Sequence, residues 1–596
     1  MVRAVGRRVL AGARRVRAGL RTSPGPLRPG PAPASLVAAA RAAGWRPTAA
    51  TRAFLRDLEA HLAGRRHPRV AVLTARVRPR EPGGLAALLA AQPRLHVVTV
   101  DPALGASQAH ARLTAGGRFD AIVLDPPSGA PALQRLPDLL FHLRRGGAAL
   151  VRLPRSSATP HGGRDWASLA GFLDLVTGAQ HPPHRASEQV RYDRRMLSEA
   201  VGRLVVGPGH LVVVNRVPAL AKMREDEMDL VLAARSGHSG RVVERLPGGE
   251  FPSRCVRRQS TTLADDLMYT TFDAPAVCLR EYTSVTCVPQ QVAVQRNLLL
   301  PDSYRKNHAP RLQHTRLQEL GERFVRPPAV GSPQRLAGAY FYLDTEFPGH
   351  FGHAMTEQLS RLWAWRQAKQ QHPDLRALVS RRTTGRALSA VERQLFTAAG
   401  VPEQDIVMVD SPVRVELLLA ATPLFSTPDY VHPAIGELWQ EIGDVLVASA
   451  PHHDYPTRVF CSRPRGRREC HNAADVEARF AAHGFTVVRP ETLPLAEQAT
   501  MFRQADVVAG FAGSALLNLV FTVSPKRVIV LSPESYTARN EYLICSVHGH
   551  ELDVVWSVPD LPQPAGGWDP EANRSGFTFD FEREGHYLEQ ALASLD

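Results

Sequence analysis

Short apolar runs rich in valine and leucine alternate with longer alanine- and leucine-rich stretches from residue 69 onward. This alternation is typical of parallel α/β sheets, in which helices join and cover buried strands. In the first part of the chain it predicts strands at Arg69–Thr74, Leu95–Asp101, Phe119–Asp125 and Ala148–Pro154. The runs Val201–Val206 and His210–Asn215 flank Gly207-Pro208-Gly209 and predict a hairpin. The expected unit is a parallel sheet finished by a hairpin.

The last third of the chain repeats the alternation more regularly. Its predicted strands are Thr457–Cys461, Gly484–Val488, Asp506–Gly510, Arg527–Leu531 and Glu551–Trp556. The helices predicted between them are Asn472–His483, Leu495–Ala505, Ser514–Phe521 and Asn540–His548. Five strands with four intervening helices predict a doubly wound parallel domain, in which ligands bind at the carboxyl ends of the strands.

Glycines and arginines stand at those predicted carboxyl ends. The turn after the third strand contains Gly510 and Gly513 and leads into a helix that starts at Ser514. Free backbone N–H groups and the dipole of a helix N-terminus attract an anion, and guanidinium groups from Arg463 and Arg468 suit phosphate. The pattern predicts a diphosphate site, with an ordinary tight strand-to-helix connection as the alternative.

A second candidate site begins at the segment Tyr340–His353, which is followed by a predicted helix. His353, Glu357 and Arg361 have helical spacing and form one polar stripe, which the pattern predicts to face away from the core. A histidine and a carboxylate one turn apart can form an acid/base pair. The alternative is an exposed ion pair between Glu357 and Arg361, with His353 capping the helix.

The length of 596 residues predicts three or four units, and no apolar run approaches the ~20 residues of a membrane span. The net charge of +15 is confined to the start, because residues 1–80 hold 18 arginines and only two acids, Asp57 and Glu59. The rest of the chain is nearly neutral, so nucleic acid is not an expected partner. Residues 1–21 have the pattern of a basic amphipathic helix that contacts an anionic membrane, or of an unstructured leader, and residues 22–35 read as a proline-rich linker.

The six cysteines show no CxxC or zinc-finger spacing, which predicts reduced thiols, a cytoplasmic protein and no structural metal. The chain also lacks any Asp-x-Asp sequence, so it offers no candidate for a metal–diphosphate clamp of that type.

The predicted first unit resembles a class I methyltransferase. Asp101 stands where that family has its ribose-binding acid, and Asp125-Pro126-Pro127 is similar to its catalytic loop. Two departures argue against S-adenosylmethionine as a cofactor: Ser128 replaces an aromatic residue, and residues 75–79 replace a glycine-rich turn. The expectation is a degenerate Rossmann-like accessory domain.

The later part resembles glycosyltransferase family 61 over roughly residues 235–560. The matching runs are Leu299–Ser303, Gly349–Trp363, Phe460–Arg463, Arg468, Asn472, Gly484–Val488, Pro490-Glu491, Gln498, Phe502, Ala505 and Gly513–Phe521. Bacterial relatives in this family are often labelled capsular polysaccharide biosynthesis proteins. One departure is Ala512, where the family commonly has a histidine.

The resemblance implies an α/β fold with a GT-B-like pair of Rossmann-type domains. It also implies inverting, metal-independent sugar transfer from a nucleotide-sugar donor to a glycan or lipid-linked acceptor, with no required cofactor. By resemblance the catalytic candidates are His353, Glu357 and Asp344. The donor-binding candidates are Arg463, Arg468, Glu491, Gly513, Ser514 and Asn518.

The expected organisation is a basic leader and linker at 1–60, the Rossmann-like accessory domain at 61–217, an acceptor-side domain at 218–450, a nucleotide-sugar domain at 451–560 and a tail at 561–596 that packs back. The sequence indicates three candidate functions. The first is a cytoplasmic glycosyltransferase for surface or capsular polysaccharide, with peripheral membrane contact through residues 1–21 left open. The second is a methyltransferase or bifunctional enzyme acting through residues 69–217, and the third is a non-catalytic glycan-assembly protein.

Overall fold

A computed structural model describes residues 35–74, 80–125, 132–153, 169–177, 188–261, 268–305, 312, 314–381, 387–463, 466–565 and 567–595. Residues 1–34, 75–79 and 126–131, on which the predictions of a basic leader and of the two departures from a methyltransferase depend, lie outside the described residues. Within the described ranges, no helix has both the length and the apolar character needed to cross a membrane.

The first unit is a six-stranded sheet covered by helices. Its elements are α1 (Leu36–Ala42), α2 (Ala49–Leu62), β1 (Arg69–Thr74), α3 (Gly84–Ala90), β2 (His96–Val100), α4 (Ala106–Ala115), β3 (Phe119–Asp125), α5 (Leu136–Leu139), β4 (Leu143–Arg152), α6 (Leu169–Thr177), α7 (Glu188–Ala200), β5 (Val201–Gly207) and β6 (His210–Asn215). The strand order is β2-β1-β3-β4-β6-β5, with β1 to β4 parallel and β6 antiparallel to both of its neighbours. The predicted parallel strands and the hairpin are therefore present.

The prediction that a leader and linker extend to residue 60 is wrong for the residues from Leu36 onward. Helices α1 and α2 belong to the first unit, since Phe54 and Leu58 are buried against sheet residues such as Val70 and Val72. Trp45 between the two helices is also buried, and its Nε1 donates a hydrogen bond to the carbonyl of Pro82 at 2.9 Å. The apolar side chains of α2 recur at helical spacing and form one face, whereas its arginines lie on the other face. The helix can therefore pack on the sheet although it carries positive charge.

This packing leads to a stability prediction. Replacing Phe54 by alanine is expected to lower the free energy of unfolding of the first unit by about 3–5 kcal/mol, because a fully buried ring leaves a cavity. Chemical denaturation followed by circular dichroism measures the change. The matched control is Val206→Ala on strand β5, where the side chain is 54% exposed and the expected change is within about 0.5 kcal/mol. An equal effect of the two substitutions would contradict the assignment of α2 to the core.

The middle of the chain forms a ten-stranded mixed sheet with β15-β7-β14-β13-β12-β19-β16-β17-β18 in order and β8 beside β12. The elements from residue 220 to 431 are β7 (Leu220–Lys222), α8 (Glu225–Ala234), β8 (Gly240–Leu246), β9 (Gly249–Pro252), β10 (Val256–Gln259), β11 (Thr271–Ala274), β12 (Val277–Val288), β13 (Val292–Gln295), β14 (Leu298–Leu299), β15 (Phe324–Val325), β16 (Gln334–Tyr342), α9 (Phe351–His353), α10 (Trp365–Gln371), β17 (Arg376–Ser380), α11 (Ala390–Ala398), β18 (Ile406–Val409), β19 (Val413–Ala421), β20 (Phe425–Ser426) and β21 (Tyr430–Val431).

This middle sheet departs from a purely parallel Rossmann-type sheet. Strands β19, β16, β17 and β18 pair in parallel, as do β14 and β7, whereas β12 pairs antiparallel with β8, β13 and β19. Strands β12 and β13 are separated by only three residues, and so short a connection permits only antiparallel pairing.

The last unit is a six-stranded, fully parallel sheet. Its elements are α12 (Ile435–Ser449), β22 (Arg458–Cys461), α13 (Ala473–Ala482), β23 (Thr486–Val488), α14 (Leu495–Gln504), β24 (Val507–Phe511), β25 (Arg527–Pro533), α15 (Asn540–His548), β26 (Glu551–Ser557) and α16 (Gly585–Ala593). The order is β10-β26-β25-β24-β22-β23, so all five predicted strands are present. Strand β10 joins from residues 256–259, which the sequence analysis had placed wholly in the preceding domain. In the segment after residue 560, Leu588 and Leu592 of α16 are buried in the same cluster as Phe460 of β22.

Candidate functional site

The strand order of the last sheet creates a crevice between β22 and β24. From β22 the chain crosses to β23 on one side and then returns to β24 on the other, so the carboxyl ends of β22 and β24 lie at a topological switch point. A cavity with ≈ 890 Å³ of empty space, part of it open to solvent, lies there. Its lining includes Phe351, Ser462, Arg463, Glu491, Gln498, Gly513 and Ser514. Four predicted donor-binding residues, Arg463, Glu491, Gly513 and Ser514, are thus brought together.

Gly513 shapes the floor of this cavity. Its φ of +149° strains any residue with a side chain, and a Cβ would lie 2.5 Å from Nη1 of Arg463, so that guanidinium would have to shift. The Gly513 N–H donates to Oε1 of the buried Glu541 at 2.6 Å, which holds the turn in place. The segment Ser514–Phe521 that follows is a 3₁₀-helix, where the sequence predicted an ordinary helix. The first N–H groups of such a helix lack intrahelical acceptors, and Gly513, Ser514 and Ala515 line the cavity.

Replacing Gly513 by alanine is expected to weaken nucleoside diphosphate binding about tenfold or more, because Arg463 must move from the turn. Calorimetric titration with ADP, UDP and GDP measures the loss. Gly400→Ala is the matched control: Gly400 also has a positive φ of +82°, but no atom lies within 4 Å of the added Cβ. Unchanged affinity in Gly513→Ala, with the control also unchanged, would remove the turn from the binding site.

Two arginines lie beside the Gly513 turn. Arg463 Nη1 donates to the carbonyl of Ala512, and the Arg468 guanidinium stacks over the Tyr536 ring at 4.3 Å from the centroid. Burial and the nearby Arg468 lower the pKa of Arg463 to about 10. Arg468 has a left-handed backbone with φ of 54°, and its buried Nε has no hydrogen-bond partner among the described residues. Two mutually repelling, partly buried cations at this turn favour binding of an anion.

The structure places Asn518 behind the cavity, which corrects its assignment as a direct donor ligand. Asn518 is fully buried, and its Nδ2 donates to Oε1 of Gln498 at 2.8 Å and to the carbonyl of Ala515. Gln498, not Asn518, lines the cavity. The sequence showed both residues within the family-like motifs, but nothing local to either one indicated which side chain reaches the cavity.

The helical segment from Phe351 to Gln371 borders the same crevice. It starts as α9, continues as a π-helical turn over Ala354–Gln358 and a 3₁₀ stretch over Leu359–Ala364, and ends as α10. π-Helical turns within helices are frequent at functional sites. Gly352 brings the start of this segment against the Gly513 turn, since a Cβ there would lie 3.1 Å from Oγ of Ser514.

His353 and Glu357 form a pair on this segment. His353 Nδ1 and Glu357 Oε1 are 2.7 Å apart, and Arg305 Nε lies 2.6 Å from the same oxygen. The hydroxyl of Thr345 donates to the other carboxylate oxygen at 3.0 Å. Burial alone raises the pKa of Glu357, but Arg305 and His353 outweigh it and bring the pKa to about 2. Because the carboxylate is ionised, Nδ1 must be the donor, which leaves Nε2 as the ring nitrogen able to accept a proton.

The exposed ion pair between Glu357 and Arg361 that formed the alternative interpretation is absent from the described residues. Arg361 is buried, and its Nη1 donates to the backbone carbonyl of Asp344 at 3.4 Å. Of the predicted stripe, Arg361 is buried, whereas His353 and Glu357 are half-buried and Glu357 lines a cavity, so the prediction that the stripe faces away from the core is wrong for Arg361. The π-helical turn alters the helical spacing on which that prediction depended.

Asp344 lies next to this pair but does not belong to it. Its buried carboxylate accepts hydrogen bonds from the N–H groups of Gln291, Thr345 and Ser380, and from the Ser380 hydroxyl. Burial raises the pKa of Asp344, and these hydrogen bonds oppose the rise. With four donors on one carboxylate, Asp344 anchors the backbone that carries Thr345, and so acts as a positioning residue.

A second cavity opens on the other side of Glu357. It has ≈ 580 Å³ of empty space, part of it open to solvent, and its lining includes Asp302, Tyr304, Arg305, Thr356, Glu357 and Arg361. Burial, together with the nearby Glu225, raises the pKa of Asp302 to about 6. Phe351 lines the first cavity and Glu357 the second, so the segment that carries His353 separates the two spaces. Arg305 was not among the predicted residues, because its distance in sequence from Glu357 hides their contact.

The residues suggested for methyl transfer have other partners. Asp125 is buried and binds Arg152 Nη1 at 3.0 Å, while the same guanidinium also binds Glu81. Asp101 accepts a hydrogen bond from the N–H of Ala103, two residues onward. Across the described ranges, no group of three or more His, Cys, Asp and Glu side chains is placed to hold a metal ion.

Residues 351–530 match the family model described as Glycosyltransferase 61. This match covers under a third of the chain and includes His353, Glu357, Arg463, Arg468 and Gly513. It confirms the prediction of a glycosyltransferase for this segment. No curated protein matches the chain at a significant level.

Two solved structures are similar to part of the chain. One is the bacterial iron-containing dodecameric glycosyltransferase TibC from enterotoxigenic E. coli H10407, at 13% identity and a TM-score of 0.23, covering 55% of this chain and 95% of that one. The other is the dodecameric iron-containing heptosyltransferase TibC in complex with ADP-D-beta-D-heptose, at 12% identity and a TM-score of 0.23, covering 54% and 94%. TM-scores this low do not establish a common fold.

Proposed function

We propose that this protein is an inverting glycosyltransferase that moves a sugar from a nucleotide-sugar donor to a hydroxyl group of a glycan or lipid-linked acceptor. The middle and last sheets would act as the GT-B-like pair, with the donor in the crevice between β22 and β24. The observation that carries the proposal is the placement of an imidazole–carboxylate pair on a segment that touches the Gly513 turn, through Gly352 and Ser514.

In the proposed reaction, Nε2 of His353 removes the proton of the acceptor hydroxyl as its oxygen attacks the anomeric carbon. The bond from that carbon to the diphosphate oxygen breaks on the opposite face, and the nucleoside diphosphate leaves. Glu357 orients the imidazole through Nδ1 and stabilises the imidazolium that forms. Arg463, Arg468 and the N–H groups after Gly513 stabilise the charge that develops on the leaving group.

The cavity beside Glu357 is the proposed acceptor site. Hydroxyl groups of a sugar can bind to carboxylates such as Asp302, while rings such as Tyr304 supply apolar contact. Surface or capsular polysaccharide synthesis in the cytoplasm is the proposed setting. We propose no methyl transfer, since Arg152 already neutralises Asp125.

Ala512 does not by itself argue for an inactive protein. Its side chain is buried in the core cluster that includes Val530 and Tyr542, while its carbonyl accepts the hydrogen bond from Arg463. The arginine pair supplies the cationic contacts of the site, so the absence of a histidine at this position removes one donor and leaves the others in place.

Incubation of the full chain with a panel of nucleotide sugars tests the proposal. We expect release of nucleoside diphosphate from at least one donor, undiminished by a chelator such as EDTA. With an acceptor glycan, proton NMR of the product should show inversion at the anomeric carbon. Failure of the wild-type protein to bind or turn over any donor contradicts the proposed function, whereas a retained anomeric configuration contradicts the single-displacement mechanism.

A further inference from the structure

A second basic cavity lies between the first sheet and the middle sheet, away from the residues assigned to sugar transfer. It holds ≈ 1280 Å³ of empty space, part of it open to solvent. Its charged lining residues are all cationic: Arg69, Arg118, Arg144, Arg235 and Arg296, with His238 beside them. Four of these arginines lie after residue 80, where the chain as a whole is nearly neutral, so the net charge does not reveal this local concentration of positive charge.

One wall consists of the amino ends of parallel strands in the first sheet. Arg69 opens β1, Arg118 directly precedes β3, and Arg144 is the second residue of β4. The opposite wall comes from the middle of the chain, where Arg235 follows α8 and Arg296 lies in the turn between β13 and β14. The cavity therefore exists only where the two sheets meet.

Arginine–carbonyl hydrogen bonds tie the two walls together. Arg235 Nη2 donates to the carbonyl of Thr114 at 2.9 Å and to Oδ1 of Asn297 at 3.1 Å. From the other wall, Arg118 Nη2 donates to the carbonyl of Ala219 at 2.6 Å. These contacts fix the cavity in a defined shape.

The positive charge in the cavity is not balanced by the lining. Asp120, just outside it, is the carboxylate in contact with this wall, and it is shared among the Arg65 and Arg144 side chains and the Arg69 N–H. The buried Nε of Arg69 has no hydrogen-bond partner among the described residues. Burial, followed by the nearby Arg296 and Arg69, lowers the pKa of Arg235 to about 10. Burial and Arg144 likewise lower the pKa of Arg118.

We propose that this interdomain cavity is a second binding site, for a small anion that carries a chain of two or more phosphate groups. Guanidinium groups recognise phosphate oxygens in a bidentate manner, and convergent cations in a concave space favour multiply charged over singly charged anions. A bound oligophosphate would relieve the repulsion among the arginines and link the first unit to the middle sheet. The inference does not depend on the proposed transferase reaction.

Titration with inorganic tripolyphosphate tests this site, using full-length protein that carries Arg463→Ala to weaken the crevice site. We expect saturable binding by calorimetry and a rise in melting temperature, because a ligand that binds only the folded state stabilises it. Adding Arg144→Ala and Arg296→Ala should weaken binding about tenfold or more, since each removed guanidinium loses charge-assisted hydrogen bonds. Both side chains are exposed, so these variants should fold as the parent does.

The matched control replaces Arg366 and Arg393, two exposed arginines on other surfaces, by alanine in the same background and should leave binding unchanged. Comparing the affinities for pyrophosphate and ADP shows whether the site recognises the phosphate groups alone or a nucleotide. Equal affinities indicate recognition of phosphate alone, and tighter binding of ADP indicates recognition of a nucleotide; either outcome supports the site. Unchanged affinity after loss of Arg144 and Arg296, or equal binding of chloride at matched ionic strength, would overturn the proposal.

Discussion

Replacing His353 by glutamine is expected to lower kcat for sugar transfer by about 10²–10⁴-fold, the usual contribution of a general base. Glutamine keeps a polar side chain of similar length but cannot take the proton of the acceptor hydroxyl. The dissociation constant for the nucleoside diphosphate should change little, because the proposed phosphate-binding residues, Arg463, Gly513 and Ser514, line the crevice and His353 is not among its lining residues. Steady-state kinetics with the active donor, together with calorimetry, measures both quantities.

Two further variants test whether the loss of kcat is specific to the His353–Glu357 pair. Glu357→Gln keeps the shape of the pair but removes the charge that orients the imidazole, so it should also lower kcat and alter its pH dependence. His452→Gln changes an exposed histidine elsewhere and should leave kcat unchanged. If His353→Gln retained kcat within about threefold of the wild type, well short of a general base's contribution, the proton acceptor would be another group.

Replacing Arg463 by alanine is expected to raise the dissociation constant for nucleoside diphosphates by about 10–100-fold, the range for losing hydrogen bonds to a charged group. The substitution also removes the hydrogen bond from Arg463 to the Ala512 carbonyl. We expect kcat to fall as well, because the leaving group loses a cation that stabilises its charge. Arg463→Lys should recover only part of the affinity, because an ammonium group cannot bind a phosphate in a bidentate manner.

Arg366→Ala is the control for the loss of one positive charge, since that side chain is 74% exposed and pairs with Glu441. Arg468→Ala should resemble Arg463→Ala if both cations face the same phosphates. Full affinity in both arginine variants would show that the nucleotide binds elsewhere, whatever the fate of catalysis.

Much of the last unit was predictable from its sequence. Buried parallel strands consist of short, continuous apolar runs, and the five runs from Thr457 to Trp556 were recognisable one by one. Residues just after such strands are candidates for ligand binding wherever the sheet reverses its order, which is why Arg463 and Gly513 were found. Strand β10 was missed because it is a four-residue strand with two exposed side chains, at the edge of a sheet whose other strands start between Arg458 and Glu551.

The candidate site was predictable only where its members lie near each other in the chain. Helical spacing brought His353 and Glu357 together, but only the structure shows that Glu357 also contacts Arg305 and Thr345. Neither contact follows from local sequence, and the π-helical turn turned Arg361 inward. Asn518 and Gln498 show the same limit, because long-range packing decides which amide reaches the cavity.

By itself, the sequence determined the alternating α/β units, the glycine-containing turn, the neighbouring arginines and the histidine–carboxylate spacing, because each depends on interactions among residues close in the chain. Only the tertiary structure decided that α1 and α2 belong to the first core, that Asp344 is a buried anchor, and that five arginines from two sheets surround one cavity. These features depend on which distant segments meet, and that is set by the packing of whole sheets, which no local pattern encodes.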